Sequence, residues 1–293
     1  MNTISFMSAN FVARELGYRM NCGWAQGDTS VQAFFRPEET FAERFGVMLD
    51  EVKALGFAAI DLWSGHLHPD WATDRQIGVA ADLLRERSLT VSSLAVYLSG
   101  DEAALYRTGE IARAVGTSVL GGGCRPEWLG EKRAALLAFL KERDLRWGFE
   151  NHPEKSALEV LAKIGDSGED RIGVAIDTGW FGSQGFPAAD AIRTFGNRLV
   201  HVHLKDIRPP MTTGDERDIR EGAPVTLKEI GHETCVLGDG CVGIAECVRA
   251  LKEIGYRGGI SIEHEPEDRS PADDVRVSLA RLHEWLGRNE GDQ

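Results

Sequence analysis

Apolar runs of four to eight residues alternate with longer amphipathic stretches almost from one end of this chain to the other. Short runs bounded by turn residues suit strands buried on both faces, and apolar residues recurring at three and four suit helices packed on one side. The runs predict strands at 18–24 (YRMNCGW), 58–63 (AAIDLW), 89–98 (LTVSSLAVYL), 117–122 (TSVLGG), 146–151 (RWGFEN), 172–177 (IGVAID), 199–205 (LVHVHLK) and 259–265 (GISIEHE). Helices are predicted between them, including 40–55, 73–87, 131–143 and 244–254. Gly56, Gly116 and Gly255 stand just past helix ends, where a glycine cap is favoured. About eight strands, each followed by a helix, predict an α/β fold with one parallel sheet closed on itself, a single (β/α)8 TIM barrel over 1–293.

One connection breaks the rhythm. Residues 207–241 hold Pro209, Pro210, the charged run DERDIREG and then LGDG, and they follow the strand that ends in HVHLK. A connection this long in a compact domain is usually functional or disordered, so it reads either as a wall over a site or as a solvated excursion. The tail at 288–293 reads as disordered.

With 293 residues and 42% hydrophobic content the chain can bury a large core, and no low-complexity linker divides it. A net charge of −13 repels phosphate backbones, and no basic groove stands out, so nucleic acid is not an expected partner. The start MNTISFMSAN lacks a secretory pattern and no apolar run approaches the roughly 20 residues of a membrane span. The expectation is a soluble, cytoplasmic protein. Cys22, Cys124, Cys235, Cys241 and Cys247 form no CxxC pair and read as reduced, mostly buried thiols.

The chemistry gathers at strand ends. Glu150 in GFENHP, Asp177 in AIDTGW, His203 in HVHLKD and Glu263 in ISIEHE each close an apolar run, where a parallel barrel collects its functional side chains. Strand alternation sends His201, His203 and Lys205 to one face, and likewise Ser261, Glu263 and Glu265. Buried carboxylates need a cation or hydrogen-bond donors. Any one of these residues alone could be an ordinary barrel-mouth group; the four together predict a site for one divalent metal ion. Three oxygen donors and one imidazole favour Mn²⁺ first, with Mg²⁺, Co²⁺ or Zn²⁺ as alternatives.

Around them His66, His152, Trp180, Lys205, Arg208 and Glu265 are candidate substrate-binding residues, with His68 and His264 assigned to the surface or to supporting positions. Lys205 and Asp206 could instead pair with each other at the strand end. Trp24, Tyr97, Trp180 and Phe181 are candidate pocket walls and Trp63 a barrel-packing residue. No Gly-rich phosphate motif stands out, and Gly121 to Gly123 read equally well as close packing, which slightly favours a non-phosphorylated substrate.

GFENHP, IDTGW, VHLKD and GISIEHE, in that order, resemble the metal-binding motifs of the xylose-isomerase-like barrel superfamily, over nearly the whole chain. GFAAIDLW and LGDG resemble it more weakly, and FMSANFVARELGY and DLWSGHLHP resemble its sugar phosphate isomerase/epimerase subgroup. The resemblance implies that Glu150, Asp177, His203 and Glu263 are the metal ligands and that Glu150 and Glu263 also serve as acid and base on opposite faces of a sugar carbon. It implies a sugar isomerase or epimerase acting on a ketose or keto-sugar through an enediolate, since a metal polarises the carbonyl and acidifies the adjacent C–H. The alternative is a lyase or dehydratase on an inosose or 3-keto-glycoside, because the same enolate can expel a β leaving group. Homo-oligomers are common in the resembled family. A non-catalytic sugar-binding barrel and an abasic-site endonuclease are more distant readings: many relatives carry a His three residues after the second carboxylate, where this chain has Trp180.

Overall fold

A computed structural model describes residues 2–166, 168, 170–209 and 231–287. Eight parallel strands close a barrel: β1 (Thr3–Met7), β2 (Ala59–Trp63), β3 (Thr90–Ala95), β4 (Val119–Gly122), β5 (Arg146–Glu150), β6 (Ile172–Asp177), β7 (Leu199–Leu204) and, last in the chain, β10 (Gly259–Ile262). Each pairs with its sequence neighbour, and β10 pairs with both β7 and β1 to close the ring. β8 (Asp206–Arg208) and β9 (Glu233–Cys235) form a separate antiparallel pair just beyond β7. Among the described residues, no helix is long and apolar enough to cross a membrane.

The first strand differs from the expectation. Residues 18–24 form no strand: Tyr18 takes a φ of 58°, Gly23 one of 78°, and a helix begins at Trp24. β1 lies instead at Thr3–Met7, where inward-facing Ser5 interrupts what would otherwise read as an apolar run. The other seven strands fall at the expected places with shorter ends, and the helices Glu38–Ala54, Asp74–Glu86, Arg133–Glu142 and Ile244–Glu253 fall within three residues of their expected bounds. The Glu38–Ala54 helix buries Phe41, Phe45, Met48, Leu49 and Val52, one stripe at helical spacing. Thr73 and Gln76 form a capping box at the start of the next helix.

The inside of the barrel is polar in its lower layer. Ser5, Asp61, Ser93, His201 and Ser261 are all fully buried there, where branched apolar residues usually fill such a barrel. Two register shifts help to place them. Ile60 pairs with Val91 but Asp61 with Ser93, and Val174 pairs with Leu199 but Ala175 with His201. An extra residue of this kind re-aims side chains and is common beside sites. Gly122 has a φ of 129° and a Cβ there would collide with the Val96 carbonyl, so close packing accounts for this glycine. In the long connection, residues 207–209 and 231–241 are described, while the run DERDIREG lies outside the described residues, as does the tail at 288–293.

Candidate functional site

The C-terminal ends of the strands open into a cavity of about 460 Å³, within the usual range for small-molecule sites. Glu150, Asp177, His203 and Glu263 all line it. His203 Nδ1 lies 3.1 Å from Glu150 Oε1 and 3.1 Å from Glu263 Oε2. Asp177 Oδ2 lies 3.2 Å from His152 Nε2 and 3.3 Å from Lys205 Nζ. Two groups of ligand-type atoms, Glu150–His203–Glu263 and Glu150–His152–Asp177, each fall within 4.8 Å and share Glu150. The four residues that the strand-end motifs single out therefore converge.

A third such group lies deeper. Asp61 Oδ2 accepts from His201 Nε2 at 2.7 Å, His203 Nε2 at 3.0 Å and the Ser261 hydroxyl at 2.8 Å, while Ser93 donates to Oδ1. Burial alone would raise the Asp61 pKa, but the two imidazoles hold its carboxyl well below the usual range. Asp61 thus fixes the His203 ring by its far nitrogen and turns Nδ1 toward Glu150 and Glu263. Carboxylates behind metal-ligating histidines commonly act this way. Asp61, Ser93 and Ser261 are missing from the sequence expectation of the site; the GFAAIDLW motif was its one visible trace.

Electrostatics follow from the crowding. Burial would lower the His203 pKa, yet the facing Glu263 carboxylate and hydrogen bonds to Asp61, Glu150 and Glu263 raise it well above its ordinary value. Lys205 is likewise raised against burial, by Asp177, Glu263 and Glu265. His152 is raised by Glu150 and Asp177 in spite of burial. For Glu265 burial dominates and raises the carboxyl, although Lys205 and Trp24 pull it down.

The donor set fits a divalent ion. His203 Nδ1 carries one hydrogen, and when it is directed at Glu150 Oε1 the buried Glu263 Oε2 has no hydrogen-bond partner among the described residues. Separations of 3.1 Å between donor atoms are those of adjacent ligands around a small cation with bonds of about 2.1 Å.

His152, Trp180, Lys205 and Glu265 also line the cavity, as do Trp24, Trp63 and Tyr97. The Trp180 ring lies tilted against His152 with centroids 4.6 Å apart, its backbone N–H donates to Asp177 Oδ1, and its indole donates to the Glu154 carbonyl.

Two expected substrate contacts do not reach the cavity. His66 is fully buried beneath it, packed edge-on to Phe35 and Trp63 with Nδ1 3.3 Å from the Ser8 hydroxyl. A short 3-10 turn after β2 rotates it inward, and His68 reaches the cavity instead. Arg208 points along the β8–β9 pair, where it binds Glu233 at 2.9 Å, and Glu233 lines the cavity in its place. Phe181 is also buried away from the cavity, against Phe186 and Phe195. Lys205 and Asp206 do not pair with each other. Successive strand residues face opposite ways, so Lys205 enters the site while Asp206 accepts four backbone N–H groups, from Ile207, Gly238, Gly240 and Val242. His264 is buried on Asp274 rather than exposed. Cys22 and Cys241 are exposed, contrary to the reading of mostly buried thiols.

Among known proteins, the inosose dehydratase of Klebsiella pneumoniae is 31% identical over 102 residues, 34% of this chain and 33% of its own. That of Clostridium perfringens is 27% identical over 153 residues, 48% of each. The chain thus spans about half the length, or less, of the curated relatives it matches. A solved L-ribulose 3-epimerase superposes with a TM-score of 0.63 at 17% identity, covering 98% of this chain and 95% of that one. The IolI protein, solved with a zinc atom, gives 0.63 at 14% identity, covering 97% and 98%. These structural likenesses show a shared fold. The sequence model of one family matches residues 49–285, and with that match the chain belongs to the xylose isomerase-like TIM barrel family.

Proposed function

We propose that this protein is a divalent-metal-dependent sugar isomerase or epimerase that works on a ketose or keto-sugar by proton transfer beside the carbonyl. The observation that carries the reading is the pair of carboxylates, Glu150 and Glu263, meeting at one imidazole nitrogen from strands separated in the barrel by β6 and β7. Glu150, Asp177, His203 and Glu263 would hold the ion, with manganese the first choice. When bound, such an ion polarises a carbonyl and makes the neighbouring C–H more acidic. Glu150 and Glu263 would stand on opposite faces of a substrate carbon, as in the resembled family, so that one takes the proton and the other returns it; positioned transfer of this kind is worth about 10² to 10⁴ in rate. Trp24, Trp63 and Trp180 supply flat apolar walls for the sugar and exclude water.

A second reading, a dehydratase on an inosose or 3-keto-glycoside, is favoured by His152. His152 lines the cavity with Nε2 3.2 Å from Asp177 Oδ2, a place from which an imidazole can hand a proton to a departing hydroxyl. The sequence relatives named as inosose dehydratases support it too. The acidic lining of the cavity speaks against a nucleic-acid substrate.

The test is to load the protein with Mn²⁺ and incubate it with ketohexoses and with an inosose, following product mass. Isomerisation conserves mass and elimination loses one water. Glu150→Gln and Glu263→Gln should each abolish turnover with the fold retained by circular dichroism. Activity kept in both variants overturns the assignment.

A further inference from the structure

Lys205 reaches into the cavity from the end of β7 with its side chain only 5% exposed. Its ammonium touches three carboxylates: Glu263 Oε1 at 2.7 Å, Glu265 Oε2 at 3.0 Å and Asp177 Oδ2 at 3.3 Å. Without it these groups would face one another as buried like charges. Two of the three, Asp177 and Glu263, are also ligands in the metal reading above, on which this inference rests. The third is not a ligand, and it is anchored independently: the Trp24 indole donates to Glu265 Oε1 at 3.1 Å.

The stem of Lys205 is held by packing and its head by charge. It lies against the bare backbone of Gly179, where a Cβ would come within 2.7 Å of Lys205 Cγ and 2.9 Å of Cδ. The four-carbon side chain therefore has a fixed root and an ammonium that can choose among berths. A divalent ion and an ammonium crowded between the same carboxylates repel each other strongly at low dielectric.

We propose that Lys205 is a built-in place-holder for the divalent ion, filling the gap between Asp177 and Glu263 in the metal-free protein and withdrawing to Glu265 when the ion enters. Metal loading is then an exchange of one cation for another. Glu265 is the berth that makes the exchange possible, and Lys205 is a positioning residue, acting through the ligands it bridges.

The experiment measures Mn²⁺ affinity by isothermal titration calorimetry on chelator-stripped protein, together with the metal-free Tm, for wild type, Lys205→Met, Glu265→Gln and the double variant. Lys205→Met should lower the metal-free Tm by several degrees yet bind Mn²⁺ about tenfold more tightly, the effect of removing one competing charge a few ångströms away. Glu265→Gln should bind about tenfold more weakly, and that penalty should shrink to about threefold or less in the Lys205→Met background. A purely structural lysine would give a lower Tm with unchanged or weaker affinity, and that result overturns the proposal while leaving the metal site intact. Lys205→Gln, which keeps a donor for the carboxylates, replaces Lys205→Met in the series if the latter does not fold. Absence of Mn²⁺ binding in wild type overturns this inference and the metal reading together.

Discussion

Asp61→Asn separates orientation of the site from stability of the barrel. The carboxylate is fully buried and takes two imidazole N–H bonds, at 2.7 and 3.0 Å, besides the hydroxyls of Ser93 and Ser261. Asparagine keeps the shape but presents a donor at one of the two oxygen positions and removes the charge. Each lost charge-assisted bond is worth about 1.5 to 3 kcal/mol, and breaking a buried charged pair costs about 3 to 5 kcal/mol, so about 4 kcal/mol is expected. That is a large share of the roughly 5 to 15 kcal/mol by which proteins are stable, and at about 2 °C per kcal/mol it lowers Tm by about 8 °C. Because the carboxylate behind His203 Nε2 becomes a neutral amide, Mn²⁺ affinity should fall about 10- to 100-fold. Urea denaturation of the chelated protein gives the first quantity and calorimetric titration the second. A stability change under about 1 kcal/mol refutes the network argument. The expected loss of about 4 kcal/mol with Mn²⁺ affinity unchanged refutes the orienting role.

Burial pushes His66 down to about 3 from 6.5, with Arg14 adding to it, so the fold prefers the neutral ring: its contribution is complete above the unfolded value of 6.5 and is lost as pH falls toward 3. Going from pH 7 to pH 5 should therefore cost about 2 kcal/mol that a His66→Gln variant does not lose, and parallel urea midpoints for the two proteins would sink the idea. Gly173→Ala forces a methyl to within 2.6 Å of Val200 Cγ2 and into the Arg198 carbonyl, so a loss of about 3 kcal/mol in stability is expected and an unchanged Tm contradicts the packing. A thiol reagent at pH 8 should find Cys22 and Cys241 quickly, whereas buried Cys235 and Cys247, each pushed up to about 12, should wait for denaturant; fast reaction of either buried thiol counts against these burials.

The barrel was legible where a strand is apolar on both faces and followed by a helix, as at 172–177. It was illegible at β1, where inward Ser5 answers to Ser261 at 2.7 Å on a strand 256 residues away. The same contrast governs the site. Glu150, Asp177, His203 and Glu263 announce themselves because each polar residue closes an apolar run. Asp61 sits inside such a run, and its reason for being there is His201, Ser93 and Ser261 on three other strands, partners that the motif around Asp61 does not name. His66 and Arg208 failed for a complementary reason: their sequence position near the mouth says nothing of the turn that rotates one inward or of Glu233, which draws the other along the β8–β9 pair.

Crowding of carboxyl groups favours a bound cation in this site. Asp61, Glu150, Asp177, Glu263 and Glu265 crowd five carboxyl groups around the imidazoles of His152, His201 and His203 and the Lys205 ammonium. One ammonium and three imidazoles compensate these groups only in part, and a divalent cation would relieve the remaining crowding. This partial compensation lets the barrel close before an ion arrives, since no carboxylate in the set lacks a cationic or imidazole neighbour. It also leaves the metal-free site under strain from like charge, so an ion that binds the folded barrel and not the unfolded chain must stabilise it, by about 2.7 kcal/mol at a hundredfold excess over Kd. A barrel built only to bind a neutral sugar would have no use for such crowding.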